Sequence, residues 1–217
     1  MPTLIYCVAE ISLNIRTPRT GVDGMAVESI EQSGLRWFVS QNPHTFPVGS
    51  VREEALIFYR VLDEIFQQTA IIPFRFPTIF SSEQEALAHF ADHAEEYSSA
   101  LIRLRNVVQM EIRISFRVPS SARSDSQTKP TGAEYLRNLH SRNAALEAAA
   151  NQLRDSNATF TKGWRQTGSA ESIRCFVLID RSIIDKFRIE LQAVTIQPEL
   201  IARLSGPWPA SQFLKES

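Results

Sequence analysis

The chain has only two cysteines, Cys7 and Cys175, in 217 residues. Each sits inside an apolar, strand-like run, so both are read as reduced core thiols of a cytosolic protein. The eight glycines are scattered. They form neither G-x-G-x-x-G nor a Walker sequence, and no G-x-S-x-G elbow occurs. Neither sign of charge prevails: 23 basic against 24 acidic side chains give a net charge of −1. Nucleic-acid binding rests on accumulated Lys and Arg, so no nucleic-acid partner is expected. No apolar run approaches the ~18–20 residues of a membrane span. The opening, Met1 to Ala9, lacks a basic leader and reads as a first strand rather than a signal peptide.

Histidine is scarce too, with four residues. His89 and His93 share one helical face, four residues apart. They lack the glutamate of H-E-x-x-H and any evident third ligand, so they are expected to be exposed polar residues opposite an apolar stripe. No metal, cofactor or catalytic constellation is expected. What the chain does have is 43% apolar residues, enough for a core.

The charge is split unevenly. Residues 1–107 hold 8 of the basic and 13 of the acidic side chains, a net of −5, and residues 108–217 a net of +4. This reads either as weak steering without consequence or as a bipolar surface for assembly.

Strands are predicted at 3–9, 25–31 and 34–40, the last two around a turn at Gly34. Ser50-Val51-Arg52-Glu53 is a capping box ahead of a helix with Val51, Ala55, Phe58, Leu62 and Ile65 on one face. A short strand at 70–74 follows. Ser82-Glu83-Gln84-Glu85, a second box, opens a helix over about 82–106. Its heptad stripe of Leu87, Phe90, Ala94, Tyr97, Leu101, Leu104 and Val108 suits either its own sheet or a partner helix.

Residues 110–118 alternate strictly between apolar and polar, the mark of a strand with one wet face. A polar loop over 119–131 is expected to be mobile. Thr131 to Glu134 is a third capping box, and its helix places Leu136, Leu139, Leu146, Ala150 and Leu153 on one face. Strands at 158–165 and 172–179, a helix over about 181–195 capped by Asp180, and a strand at 199–205 complete the chain. The fold class is therefore α+β in two domains. Residues 1–107 form a smaller α+β unit ending in a long helix. Residues 108–217 follow β-α-β-β-α-β, the order of a ferredoxin-like antiparallel sheet with helices on one face. RNA-binding domains share that order, but the strand Ile173 to Ile179 carries one aromatic and no glycine where they stack bases.

After the last strand comes Gly206-Pro207-Trp208-Pro209, with Phe213 beyond it. Glycine permits an unusual turn and the prolines fix φ, so a large aromatic is held in a set place. It suits a local lid packed on the C-terminal sheet or an anchor presented to another protein. This segment resembles the Gly-Pro-Trp-Pro signature of the gas vesicle GvpL/GvpF family. Leu4-Ile5-Tyr6, Gly34 to Ser40, Ile72-Pro73-Phe74-Arg75-Phe76, Thr78-Ile79-Phe80, Met110 to Arg113, Gly132 to Leu136 and Phe176 to Arg181 resemble its other conserved runs in order. Pro77 stands where the family has glycine, and Ala210-Ser211-Gln212 replaces Pro-Tyr-Ser, the mark of a divergent member.

The resemblance implies a non-enzymatic accessory protein of gas vesicle assembly, cytoplasmic or vesicle-associated. Its partners would be the small hydrophobic shell protein and other accessory proteins. Arg75, Phe76, Gly206, Pro207, Trp208, Pro209 and Phe213 are the candidate contact or anchoring residues. The rival expectation is a small-molecule-sensing regulatory protein, or an unrecognised enzyme, on ferredoxin-like domains.

Overall fold

The computed structural model describes residues 1–12, 14–41, 51–117 and 132–214. Ser50, Thr131 and the 119–131 loop lie outside the described residues. The chain is an α+β protein whose described residues form two antiparallel sheets and four α-helices. It parts into two compact units: Met1–Asn106 with the tail from Pro209 on, and Val107–Trp208. Described residues 209–214 thus count with the first unit, whereas the sequence keeps them beside the last strand.

In the first unit the strands are β1 (Thr3–Glu10), β2 (Glu28–Gln32), β3 (Leu35–Gln41), β4 (Ile71–Pro73) and β5 (Ile79–Phe80), with helices α1 (Val51–Phe66) and α2 (Glu83–Arg103). The sheet order is β2-β3-β1-β4, with β5 also on β1. Residues 3–9 of β1 are all buried. A strand covered on both faces needs no polar alternation, and β1 is covered on both. Tyr6 stacks on Phe58 of α1 at 5.0 Å. Its neighbour Ile5 points the other way and joins the core formed with Phe90 and Leu101 of α2. Side chains of the heptad stripe in α2 therefore pack on the sheet of their own unit. Ser82 caps α2 by accepting from the Glu85 amide at 3.2 Å. The Glu85 carboxylate reaches back to the Ser81 amide (2.9 Å) and hydroxyl, one residue short of a full capping box.

The second unit runs β6 (Val107–Phe116), α3 (Gly132–Ser156), β7 (Thr161–Gly168), β8 (Ser172–Asp180), α4 (Ile184–Ala193) and β9 (Leu200–Trp208). Its antiparallel sheet has the order β7-β8-β6-β9. Met110, Ile112 and Ile114 of β6 and Cys175, Val177 and Ile179 of β8 are buried, as are Leu146 and Leu153 of α3 and Phe187 of α4. Burial pushes the Cys175 thiol up to about 12 and the Cys7 thiol higher still, so both stay protonated. Asp180 caps the next turn by accepting from the Ser182 amide at 2.9 Å.

Three local differences from the sequence have physical reasons. The last strand does not stop at 205 but continues through Pro207 to Trp208. β9 is an edge strand, where a proline removes no ladder bond. The strand expected at 158–165 begins as a 3-10 turn, Ala158–Phe160, and pairs only from Thr161. In α3 the expected apolar face is half right. Leu146, Ala150 and Leu153 are buried, but Leu136 is 54% and Leu139 37% exposed, because residues 132–144 contain no buried side chain. Among the described residues, no helix is long and apolar enough to cross a membrane.

Candidate functional site

Two features gather the candidate residues. The first is an apolar groove of about 360 Å³ in the first unit, lined by Ile72, Phe74, Arg75, Tyr97, Ala100 and Leu214 among others. Two of its lining rings, Phe74 and Tyr97, pack on Trp37 behind them. Trp37 of β3 is fully buried and stacks on Phe90 at 3.9 Å, with Tyr97 edge-on at 5.5 Å and Phe74 at 6.3 Å. Offset and edge-to-face pairs of this kind hold rings in fixed orientations. β4 ends at Pro73, though the Phe74 amide still donates to the Tyr6 carbonyl of β1 at 2.9 Å, and Arg75 follows outside the strand. Arg75 is exposed at the rim, and Glu96 also lines the groove. Phe76 is not part of the groove. Its ring lies 5.3 Å from Phe58, on the α1 side. The Phe76–Pro77 peptide bond is cis.

The tail closes one side of the groove. After Pro209, Ala210 is buried and Ser211–Phe213 forms a 3-10 turn. Arg103 of α2 donates to the Leu214 carbonyl at 2.8 Å. Leu214 therefore lines the groove with Arg75, and Phe213 directly precedes it. Sequence reasoning missed Trp37, Phe74, Tyr97 and Leu214. The signal available was the density of aromatic residues in 74–97, which the heptad reading absorbed as core.

The second feature is the segment Gly206 to Trp208 at the end of β9. Gly206 has φ of 114°, and a Cβ there would lie 3.0 Å from the Gln109 carbonyl oxygen and 3.2 Å from the Met110 sulfur. Only glycine fits that backbone and that approach. The Gly206–Pro207 bond is cis. Arg188 of α4 donates to the Gly206 carbonyl at 3.1 Å. Trp208 then pairs opposite Gln109 and remains 49% exposed. It is neither a fully packed lid nor a free side chain, but an aromatic held by its backbone with half its surface in water. Gly206, Pro207 and Trp208 belong to the second unit, while Arg75, Phe76, Pro209 and Phe213 belong to the first.

The histidine pair departs from expectation. His89 is half-buried rather than exposed, its ring 5.1 Å from Phe80 and 4.2 Å from His93. Burial first, and His93 beside it second, lower its pKa from 6.5. Among the described residues, no group of three or more His, Cys, Asp and Glu side chains is placed to hold a metal ion.

The comparisons with known proteins agree in kind. The family model of the gas vesicle synthesis protein GvpL/GvpF matches residues 2–215. The crystal structure of gas vesicle protein GvpF from Anabaena sp. PCC7120 superposes with a TM-score of 0.80 at 12% identity, covering 100% of this chain and 97% of that one. GvpF from Microcystis aeruginosa gives 0.76 at 11% identity, over 99% of both chains. At such identity the likeness is one of fold. No curated protein is significantly similar in sequence.

Proposed function

The chain belongs to the gas vesicle synthesis protein GvpL/GvpF family and has a gas vesicle-related role, and we propose that within it the chain is a non-catalytic accessory protein. It binds the small hydrophobic shell protein and other assembly components, associated with the vesicle in the cytoplasm. The observation that carries this reading is Trp208, half exposed yet fixed by Gly206 and Pro207. A preset aromatic loses little freedom on binding, which is why tryptophan so often anchors an interface. The groove beside Arg75 offers an apolar surface to a hydrophobic partner. Arg75, Phe76 and the segment from Gly206 to Pro209 with Phe213 are the residues assigned to contact or to positioning. We also read the second unit as ferredoxin-like. Its order β6-α3-β7-β8-α4-β9 and its sheet order β7-β8-β6-β9 support that.

The test is co-expression of the tagged chain with the shell protein, followed by capture, with wild type, Trp208→Ala and Arg75→Ala. Specific capture that is lost in a variant shown to be folded at the assay temperature supports the reading. Failure to capture a soluble shell protein with the wild type overturns it. A second reading, a small-molecule-sensing protein, is favoured only by the groove, whose volume lies in the ~300–1,000 Å³ range of ligand pockets. A saturable thermal shift with a metabolite, weakened by Arg75→Ala, would support that reading instead.

A further inference from the structure

One face of the second sheet carries an exposed row of arginines. Arg113 of β6 sits directly opposite Arg174 of β8 on one side and Arg203 of β9 on the other. Opposite residues of an antiparallel pair share a face, with Cβ atoms about 5 Å apart, and like charges so placed repel. All three arginines are exposed. In the next row the one carboxylate is Glu111, and Arg174 takes both its oxygens at 2.7 and 2.9 Å. Arg113 and Arg203 make no ion pair among the described residues. Glu111 is thus one carboxylate among three arginines, and its charge also acts on Arg113, so the row keeps an excess of positive charge that a counter-charge from outside would relieve.

The first unit carries the complement. From Glu83 to Ile102, α2 has five carboxylates and no Lys or Arg. Asp92, Glu95 and Glu96 lie exposed within about one helical turn, near 6 Å of axis. The arginine row crosses three strands, about 10 Å. The lengths match within side-chain reach, and so do the signs of the two halves, −5 for residues 1–107 and +4 for 108–217.

We propose that the occupant of the arginine row is the acidic α2 of a second copy of this chain. The two patches are different surfaces, so the contact is head-to-tail and leaves one patch of each sign free at the ends. Such contacts close into rings or extend as chains. Glu96 also lines the groove beside Arg75, so the acidic patch adjoins that surface; the variants below leave Glu96 and Arg75 in place, and self-association is read without the shell protein.

The experiment is sedimentation of the full chain over a concentration series at ~10 mM and ~0.1 M salt, where the screening length falls from about 30 to 10 Å. The expected result is a mass that rises with concentration at low salt, with association weakened at least about tenfold at the higher salt. Two charge-reversal variants follow, Arg113→Glu with Arg203→Glu, and Asp92→Lys with Glu95→Lys. All four positions are exposed, and circular dichroism checks that each variant folds. Each alone should sediment as a monomer, and their equimolar mixture should associate again, because each supplies what the other lost. A wild type monomeric at low salt overturns the proposal. So does a mixture that stays monomeric. A labelled single-stranded oligonucleotide bound by the monomer and lost in the arginine variant would assign the face to nucleic acid and also overturn it.

Discussion

Trp37 and Trp208 stand for two ways of using the same side chain. Trp37 is 0% exposed, stacked on Phe90 in the middle of an aromatic core. Trp208 is 49% exposed at the end of an edge strand, held by backbone rather than by packing. The first is a stabilising residue whose position follows from its neighbours. The second is a positioned residue whose neighbours leave it available. A tryptophan's contribution to folding tracks what it buries, whereas its availability for contact depends on the rigidity of the chain around it.

Truncation of the packed ring has the largest expected effect. Trp37→Ala should cost about 3–5 kcal/mol, the range for large aromatics removed from cores. Denaturant unfolding would show it as an early transition of the first unit. A loss below about 1 kcal/mol would mean that Phe90, Phe74 and Tyr97 close the gap unaided. Next comes the backbone that holds the other ring. Gly206→Ala places a Cβ 3.0 Å from the Gln109 carbonyl at a φ of 114°. A cost of about 1–3 kcal/mol is expected from strain of this kind. Thermal unfolding of the second unit measures it, and an unchanged melting temperature would show that β9 moves away without penalty. Smaller again is Trp208→Ala, at about 1 kcal/mol for a half-buried ring. Equal losses from Trp37→Ala and Trp208→Ala would break the comparison, since exposure would then predict nothing.

The same contrast explains what was legible in the sequence. Local signals were sound where the outcome depends on neighbours in the chain. The alternation in 110–118 gives β6, Ser82 caps α2, and Asp180 caps the next turn. Gly206 to Pro209 marks an unusual turn with fixed φ, and the order of predicted elements gives the α+β class. Signals failed where the outcome depends on what lies across space. The apolar spacing of α3 continues through Leu136 and Leu139, yet both are exposed, because spacing along a helix does not say how far its partner extends. The exposure of Trp208 needs the pairing of β9 with β6, and the arginine row needs the order β8-β6-β9. His89 was placed on the polar side of its helix, but Phe74 and Phe80 come from a separate segment to cover it.

That covered histidine gives the smallest effect, and its sign can be worked out. Burial in the first unit, with His93 adjacent, favours the neutral imidazole, while Asp92 opposes only in part. The folded-state pKa therefore lies below the ordinary value of 6.5. Between those two values the unfolded chain binds more protons than the folded one, so stability rises with pH there. The contribution is complete above pH ~6.5 and is lost as pH falls through the folded pKa. His89→Gln removes the titrating group and keeps a polar side chain of similar reach. Its unfolding free energy should be flatter with pH than that of wild type below pH ~6.5 and parallel to it above. An unaltered slope would place the pH dependence on other groups. It would also mean that the ring lying against Phe80 is wetter than its neighbours imply.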